Sequence, residues 1–124
     1  MCSILVIDDE KGILKVLREA LTRSGHRVEI AEDGYEGIQK FDGGGFDIVI
    51  TDMRMPGLGG EEIVRHIRQS PHKTIPVIGI SGTPWLLNKE NSFDVVLPKP
   101  FPLQELIDSV SRLITIPSQA SASA

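Results

Sequence analysis

Short apolar runs alternate along this chain with stretches whose apolar residues recur every three or four positions. Ile4-Leu5-Val6-Ile7 has the length and continuity of a buried strand and stops abruptly at Asp8-Asp9-Glu10. From Lys11 the period changes. Ile13, Leu14, Leu17, Ala20 and Leu21 share one helical face, which Ser24-Gly25 brings to an end. Glu10 precedes this helix, where the backbone dipole favours a negative charge. His26-Arg27-Val28-Glu29-Ile30 alternates polar and apolar residues, as a strand with one wet face or at a sheet edge would. A short helix from Gly34 to Phe41 follows, closed by Gly43-Gly44-Gly45.

The second half repeats the scheme. Ile48-Val49-Ile50 is a buried strand ending at Thr51-Asp52, followed by a Pro/Gly-rich loop, Met55-Pro56-Gly57-Leu58-Gly59-Gly60. Glu61 to Gln69 reads as a helix with acids at its start and Arg65, His66 and Arg68 near its end, matching the dipole. Pro76 to Ile80 is a fourth strand, with its proline at the first position, where one is tolerated. Val95-Val96-Leu97 is a short fifth. Leu103, Leu106, Ile107, Val110, Leu113 and Ile114 mark a last helix, and Pro117 to Ala124 reads as a Ser/Ala-rich tail or linker. Strands separated by helices imply a parallel sheet covered on both faces. The expected fold class is α/β, a doubly wound five-stranded sheet with residues 1–116 as one domain.

Composition narrows what such a domain does. With 124 residues there is room for one domain, and 40% hydrophobic residues suffice for a packed core. One cysteine, Cys2, excludes an internal disulfide framework and a cysteine-based zinc site, and reads as a small buried apolar group. His26, His66 and His72 show no metal-ligand spacing. A formal charge of −4 argues against direct nucleic-acid binding. No run spans a bilayer and the start lacks a signal-peptide pattern, so a cytoplasmic setting is expected, with no membrane partner.

The polar residues that matter stand at the ends of the strands. The first strand runs into Asp8 and Asp9, the third into Asp52, the fourth into Ser81 and the fifth into Lys99. Open parallel sheets bind ligands beyond the carboxyl ends of their strands, so these side chains are expected to converge on one crevice. Taken singly, each has an ordinary reading: a helix start, a turn, a surface charge. Together, three carboxylates in one crevice call for a cation, and Mg²⁺ or a similar divalent ion such as Mn²⁺ suits oxygen ligands. Adding a lysine and a hydroxyl makes a site suited to a phosphoryl group.

At these residues the chain resembles a known family. Asp8-Asp9-Glu10, Asp52-Met53-Arg54-Met55-Pro56-Gly57, Ser81-Gly82 and Lys99-Pro100-Phe101 are similar to the signature of response-regulator receiver domains, over roughly residues 3 to 115. The resemblance implies a flavodoxin-like sheet of order 2-1-3-4-5 between two helical layers. It implies that Asp52 accepts a phosphoryl group from a sensor histidine kinase or phosphotransfer protein. Asp8, Asp9, Asp52 and the backbone carbonyl of Arg54 would then hold Mg²⁺. Ser81 and Lys99 would contact the phosphoryl oxygens, and the Lys99-Pro100 bond would be cis. Such a domain is a stoichiometric phosphoacceptor rather than an enzyme of many turnovers, and promotes its own phosphorylation and dephosphorylation. A downstream effector or a second copy would receive the signal, reached through a partner or further sequence.

Two departures from the family pattern stand out. Val96 occupies the position three before the lysine, where an aromatic is usual. Only 17 residues separate Ser81 from Lys99, and Gly82-Thr83-Pro84 delays the helix between them, so a shortened or irregular fourth helix is expected. Two other functions compete. A haloacid-dehalogenase-like phosphatase requires a second aspartate two residues after the first, where Arg54 stands. A phosphorylation-independent interaction module (a pseudo-receiver) would ordinarily have lost part of the acid cluster.

Overall fold

The computed structural model describes residues 2–82 and 93–123. Five strands, β1 (Ser3–Ile7), β2 (Arg27–Ala31), β3 (Ile48–Asp52), β4 (Val77–Ser81) and β5 (Val95–Pro98), pair in parallel in the order β2-β1-β3-β4-β5. The described helices are α1 (Lys11–Arg23), α2 (Gly34–Asp42), α3 (Gly60–Arg68) and α4 (Leu103–Ser123). This is the doubly wound parallel sheet expected from the pattern of runs, in the flavodoxin-like order that the resemblance implies. The anticipated irregular helix between β4 and β5 falls on residues 83–92 and lies outside the described residues.

Successive side chains of a strand point to opposite faces, so each continuous apolar run feeds two cores at once. Ile4 and Val6 of β1, Ile48 and Ile50 of β3, and Ile78 and Ile80 of β4 meet Leu14, Leu17 and Leu21 of α1 and Leu106 and Val110 of α4. Leu5, Ile7, Val49 and Val77 point the other way, against Phe41 of α2 and Ile63, Val64 and Ile67 of α3. Strands buried on both faces need this continuity. β2 does not: Arg27 and Glu29 are exposed while Val28 and Ile30 are half-buried, as an edge strand requires. Cys2 is buried, and burial pushes its thiol pKa up, as suits a packing residue.

Local chemistry sets the helix starts. Asp33 caps α2 by accepting from the Glu36 N–H at 2.7 Å, while Glu36 reaches back to the Glu32 N–H at 2.6 Å. At α3, Glu62 accepts from the Gly59 N–H at 2.7 Å, and Glu61 and Glu62 lead while Arg65, His66 and Arg68 trail. The helical backbone of α4 runs on to Ser123, through the Ser/Ala-rich stretch anticipated as a tail.

Two glycines shape the loop beyond β3. Gly57 has φ 82, a left-handed conformation that follows directly on Pro56. Gly34, at the start of α2, comes so close to this loop that a Cβ would run into the carbonyl oxygen of Leu58 and stand 2.7 Å from its Cβ. Because the obstacle includes backbone, Gly34→Ala is expected to destabilise the fold by about 1–3 kcal/mol. Urea denaturation measures this, and an unchanged midpoint would show that the loop yields freely.

Candidate functional site

The strand order brings the four strand-end segments together. β1 and β3 are adjacent, and Asp8 follows the last residue of β1 while Asp52 is the last of β3. Asp52 pairs in register with Ile80, one residue before Ser81. Lys99 follows β5, and its N–H donates to the Ser81 carbonyl at 2.8 Å. The Lys99-Pro100 peptide is cis.

Three acids approach one another closely. One carboxylate oxygen from each of Asp8, Glu10 and Asp52 lies within 4.8 Å of the other two. Asp8 is 1% exposed and Asp52 5%. Burying two carboxylates so near each other is costly, and the structure offsets the cost unequally. At Asp8, Oδ1 accepts from the Glu10 N–H at 2.9 Å, while buried Oδ2 has no hydrogen-bond partner among the described residues. Asp52 accepts from the Arg54 N–H, and its Oδ2 lies 3.5 Å from Lys99 Nζ.

The acid–base properties follow from these partners. Burial pushes Asp8 up to about 6; the Glu10 N–H opposes the shift and the charge of Asp52 adds to it. Burial also raises Asp52, but Lys99 and the Arg54 N–H oppose it. Burial alone would lower Lys99; the charges of Asp52, Asp8 and Glu10 outweigh that and hold it above its ordinary value. The lysine therefore stays protonated and keeps the buried Asp52 closer to ionisation.

Most of the residues expected from sequence are here. Asp8, Asp52 and Lys99 share one site, and Ser81 is buried at the adjoining strand end. Asp9 is exposed and stands outside the close group of oxygens, although its charge reaches Asp52. Arg54 is exposed, with its backbone engaged at Asp52. Val96 is half-buried on β5. Glu10 is the participant that periodicity obscured. It precedes α1 as the sequence predicted, but its side chain turns back toward Lys99, at 3.5 Å. The cue was its place as the third acid of a run.

The residues fit a hard divalent cation. All the donors are oxygens, and a buried carboxylate oxygen without a partner is the kind of atom that a cation satisfies. Beside the site, Glu10, Ile13, Val16, Lys99, Phe101 and Leu103 contribute to a groove of about 700 Å³.

Comparison with known proteins agrees with this geometry. The chain is 34% identical over 122 residues to the transcriptional regulatory protein ResD of Bacillus subtilis, covering 95% of this chain and 50% of that protein. It is 32% identical to the transcriptional regulatory protein TrcR of Mycobacterium tuberculosis, over 90% of this chain and 44% of that one. It thus spans about half the length of the curated relatives it matches. Among solved structures, a response regulator receiver domain protein of Clostridium thermocellum superposes with a TM-score of 0.85 at 34% identity, covering 97% of this chain and 99% of that one. The response regulator TrrA of Thermotoga maritima, in complex with Mg²⁺ and BeF, superposes with a TM-score of 0.83 at 35% identity, covering 91% and 99%. The family model for the response regulator receiver domain matches residues 4–111, the span that builds the sheet and carries Asp8, Asp52, Ser81 and Lys99 to its carboxyl edge, and the chain belongs to that family.

Proposed function

We propose that this domain accepts a phosphoryl group on Asp52 from a phosphohistidine of a sensor kinase or phosphotransfer protein in the cytoplasm. The observation that carries the reading is the pairing of a buried strand-end carboxylate, Asp52, with Lys99 at 3.5 Å in the site it shares with Asp8, whose buried Oδ2 has no partner among the described residues. A nucleophile must be ionised and accessible along one line, and Lys99 favours the ionised form of Asp52 against the effect of burial. In the transfer, an Asp52 oxygen forms a bond to phosphorus as the bond from phosphorus to the donor's imidazole nitrogen breaks. With a proton on its other ring nitrogen the imidazole leaves as a neutral base, so the domain supplies position and charge neutralisation rather than acid catalysis.

Asp8, Asp9, Asp52 and the Arg54 carbonyl are the groups we assign to Mg²⁺ or Mn²⁺, which when bound neutralises charge on the phosphoryl oxygens. Lys99 and the Ser81 hydroxyl take the remaining oxygens. The product carries more negative charge than the carboxylate it replaces, and the Ser81 loop and Lys99 respond to it, passing the change to an effector or a second copy. Hydrolysis of the acyl phosphate returns the domain to its starting state. Val96 is too short to act as the aromatic switch usual in the family, so the response is carried by Ser81, Lys99 and the segments they anchor.

Incubation with acetyl phosphate tests the reading. Mass spectrometry is expected to show at most one phosphoryl group per chain, dependent on Mg²⁺ and lost on its chelation. Unlabelled protein at saturating Mg²⁺ would point instead to a phosphorylation-independent interaction module. Sustained release of phosphate over many rapid cycles would point to a phosphatase.

A further inference from the structure

Lys99 stands between two carboxylates, and only one of them has a part in the chemistry above. Its Nζ is 3.5 Å from Asp52 Oδ2 and 3.5 Å from Glu10 Oε1. One ammonium carries one charge, so the attraction that Glu10 draws from it is shared with Asp52. The two partners sit in different surroundings: the Asp52 side chain is 7% exposed and that of Glu10 61%. An ion pair so open to water is weak and readily exchanged for another. Glu10 is otherwise uncommitted to the helix it precedes, since its side chain makes no capping bond at α1. Yet one oxygen of its carboxylate lies within 4.8 Å of one from each of Asp8 and Asp52, and Asp8 also carries a buried Oδ2 with no partner among the described residues.

Building on the phosphoacceptor reading, we infer that Glu10 is a positioning residue of this site. It divides Lys99 with Asp52 before phosphorylation and lends its negative charge to a divalent cation held at Asp8 and Asp52. The same charge does two opposing things. It strengthens the attraction for a cation, and it both competes for Lys99 and repels an anionic phosphodonor. Neutralising it therefore separates cation affinity from the rate of transfer, whereas merely damaging the fold would lower both.

The test uses Glu10→Gln and Glu10→Asp in the full chain. Calorimetry with MgCl₂ alone is expected to show Glu10→Gln binding about tenfold more weakly than the parent, the lower end of what an outer ligand contributes. At saturating Mg²⁺ its maximal rate of labelling by acetyl phosphate is expected to rise about twofold to fivefold, the range of one partly exposed ion pair. Glu10→Asp keeps the charge and is expected to recover most of the Mg²⁺ affinity. Parent-like affinity and rate in Glu10→Gln, or a fall in its maximal rate, would overturn the role of Glu10 while leaving Asp52 as phosphoacceptor. Failure of the parent itself to bind Mg²⁺ or take label would sink both readings.

Discussion

Asp52→Asn is expected to take no phosphoryl label from acetyl phosphate at any Mg²⁺ concentration while remaining folded. The substitution keeps the shape of a residue that is 5% exposed at the end of β3 and removes its charge. An amide oxygen is a poor nucleophile towards phosphorus, so the bond that would form at Asp52 has no substitute. Asp8 is the other buried acid of the site, but its Oδ1 is held by the Glu10 N–H and Lys99 is not an ion-pair partner of it within 4.0 Å. The fold should survive, because the Arg54 N–H still finds an oxygen acceptor and Lys99 keeps Glu10. Intact-mass spectrometry with circular dichroism as a fold control reads the result. A variant labelled as fast as the parent would remove Asp52 from its role.

Asp8→Asn is expected to stabilise the cation-free protein near neutral pH by about 1–3 kcal/mol, the usual cost of a buried polar atom left unsatisfied. Asp8 Oδ2 is buried without a partner among the described residues, and an oxygen of Asp8 lies within 4.8 Å of one from each of Asp52 and Glu10. An amide removes the charge and offers donors to those acceptors.

The pH dependence has a definite sign. The folded-state pKa of Asp8 is raised to about 6, so between its unfolded value of 3.8 and about 6 the folded chain holds a proton that the unfolded chain has released. Its contribution to stability therefore falls as pH rises through that window and levels off above it. The parent-minus-variant difference in urea midpoint should follow this curve, because other groups cancel to first order. Saturating Mg²⁺ should stabilise the parent increasingly as pH rises through about 6, levelling off above it, and the variant much less, since a cation favours the ionised carboxylate. Coincident parent and variant curves with and without Mg²⁺ would show that Asp8 is neither strained nor a ligand.

Much of this was legible along the chain because two signals agreed. Ile4 to Ile7 and Ile48 to Ile50 could only be buried strands if helices covered both faces, and the intervening runs had helical period. The abrupt change from Ile7 to Asp8 and from Thr51 to Asp52 then marked the carboxyl ends of strands, where parallel sheets place ligands. Glu10 was harder to place. Its position before α1 was plain, but periodicity says nothing of which way an exposed side chain turns, and only the approach of Lys99 from β5 gave it a partner. The start of α2 against Leu58 was likewise hidden, since Gly34 carries no side chain whose pattern would betray the contact.

The sequence by itself determined the class of fold, the residues that end each strand and the acid surplus gathered at Asp8-Asp9-Glu10 and Asp52, because these depend on local period and residue type. Only the tertiary structure decided which acids meet, that Asp8 Oδ2 is left without a partner, and that one lysine serves both Asp52 and Glu10. Those outcomes depend on distances of a few ångströms between residues as far apart as Glu10 and Lys99. Electrostatic energy varies so steeply over that range that the packing of separate strands, and no local pattern, sets it.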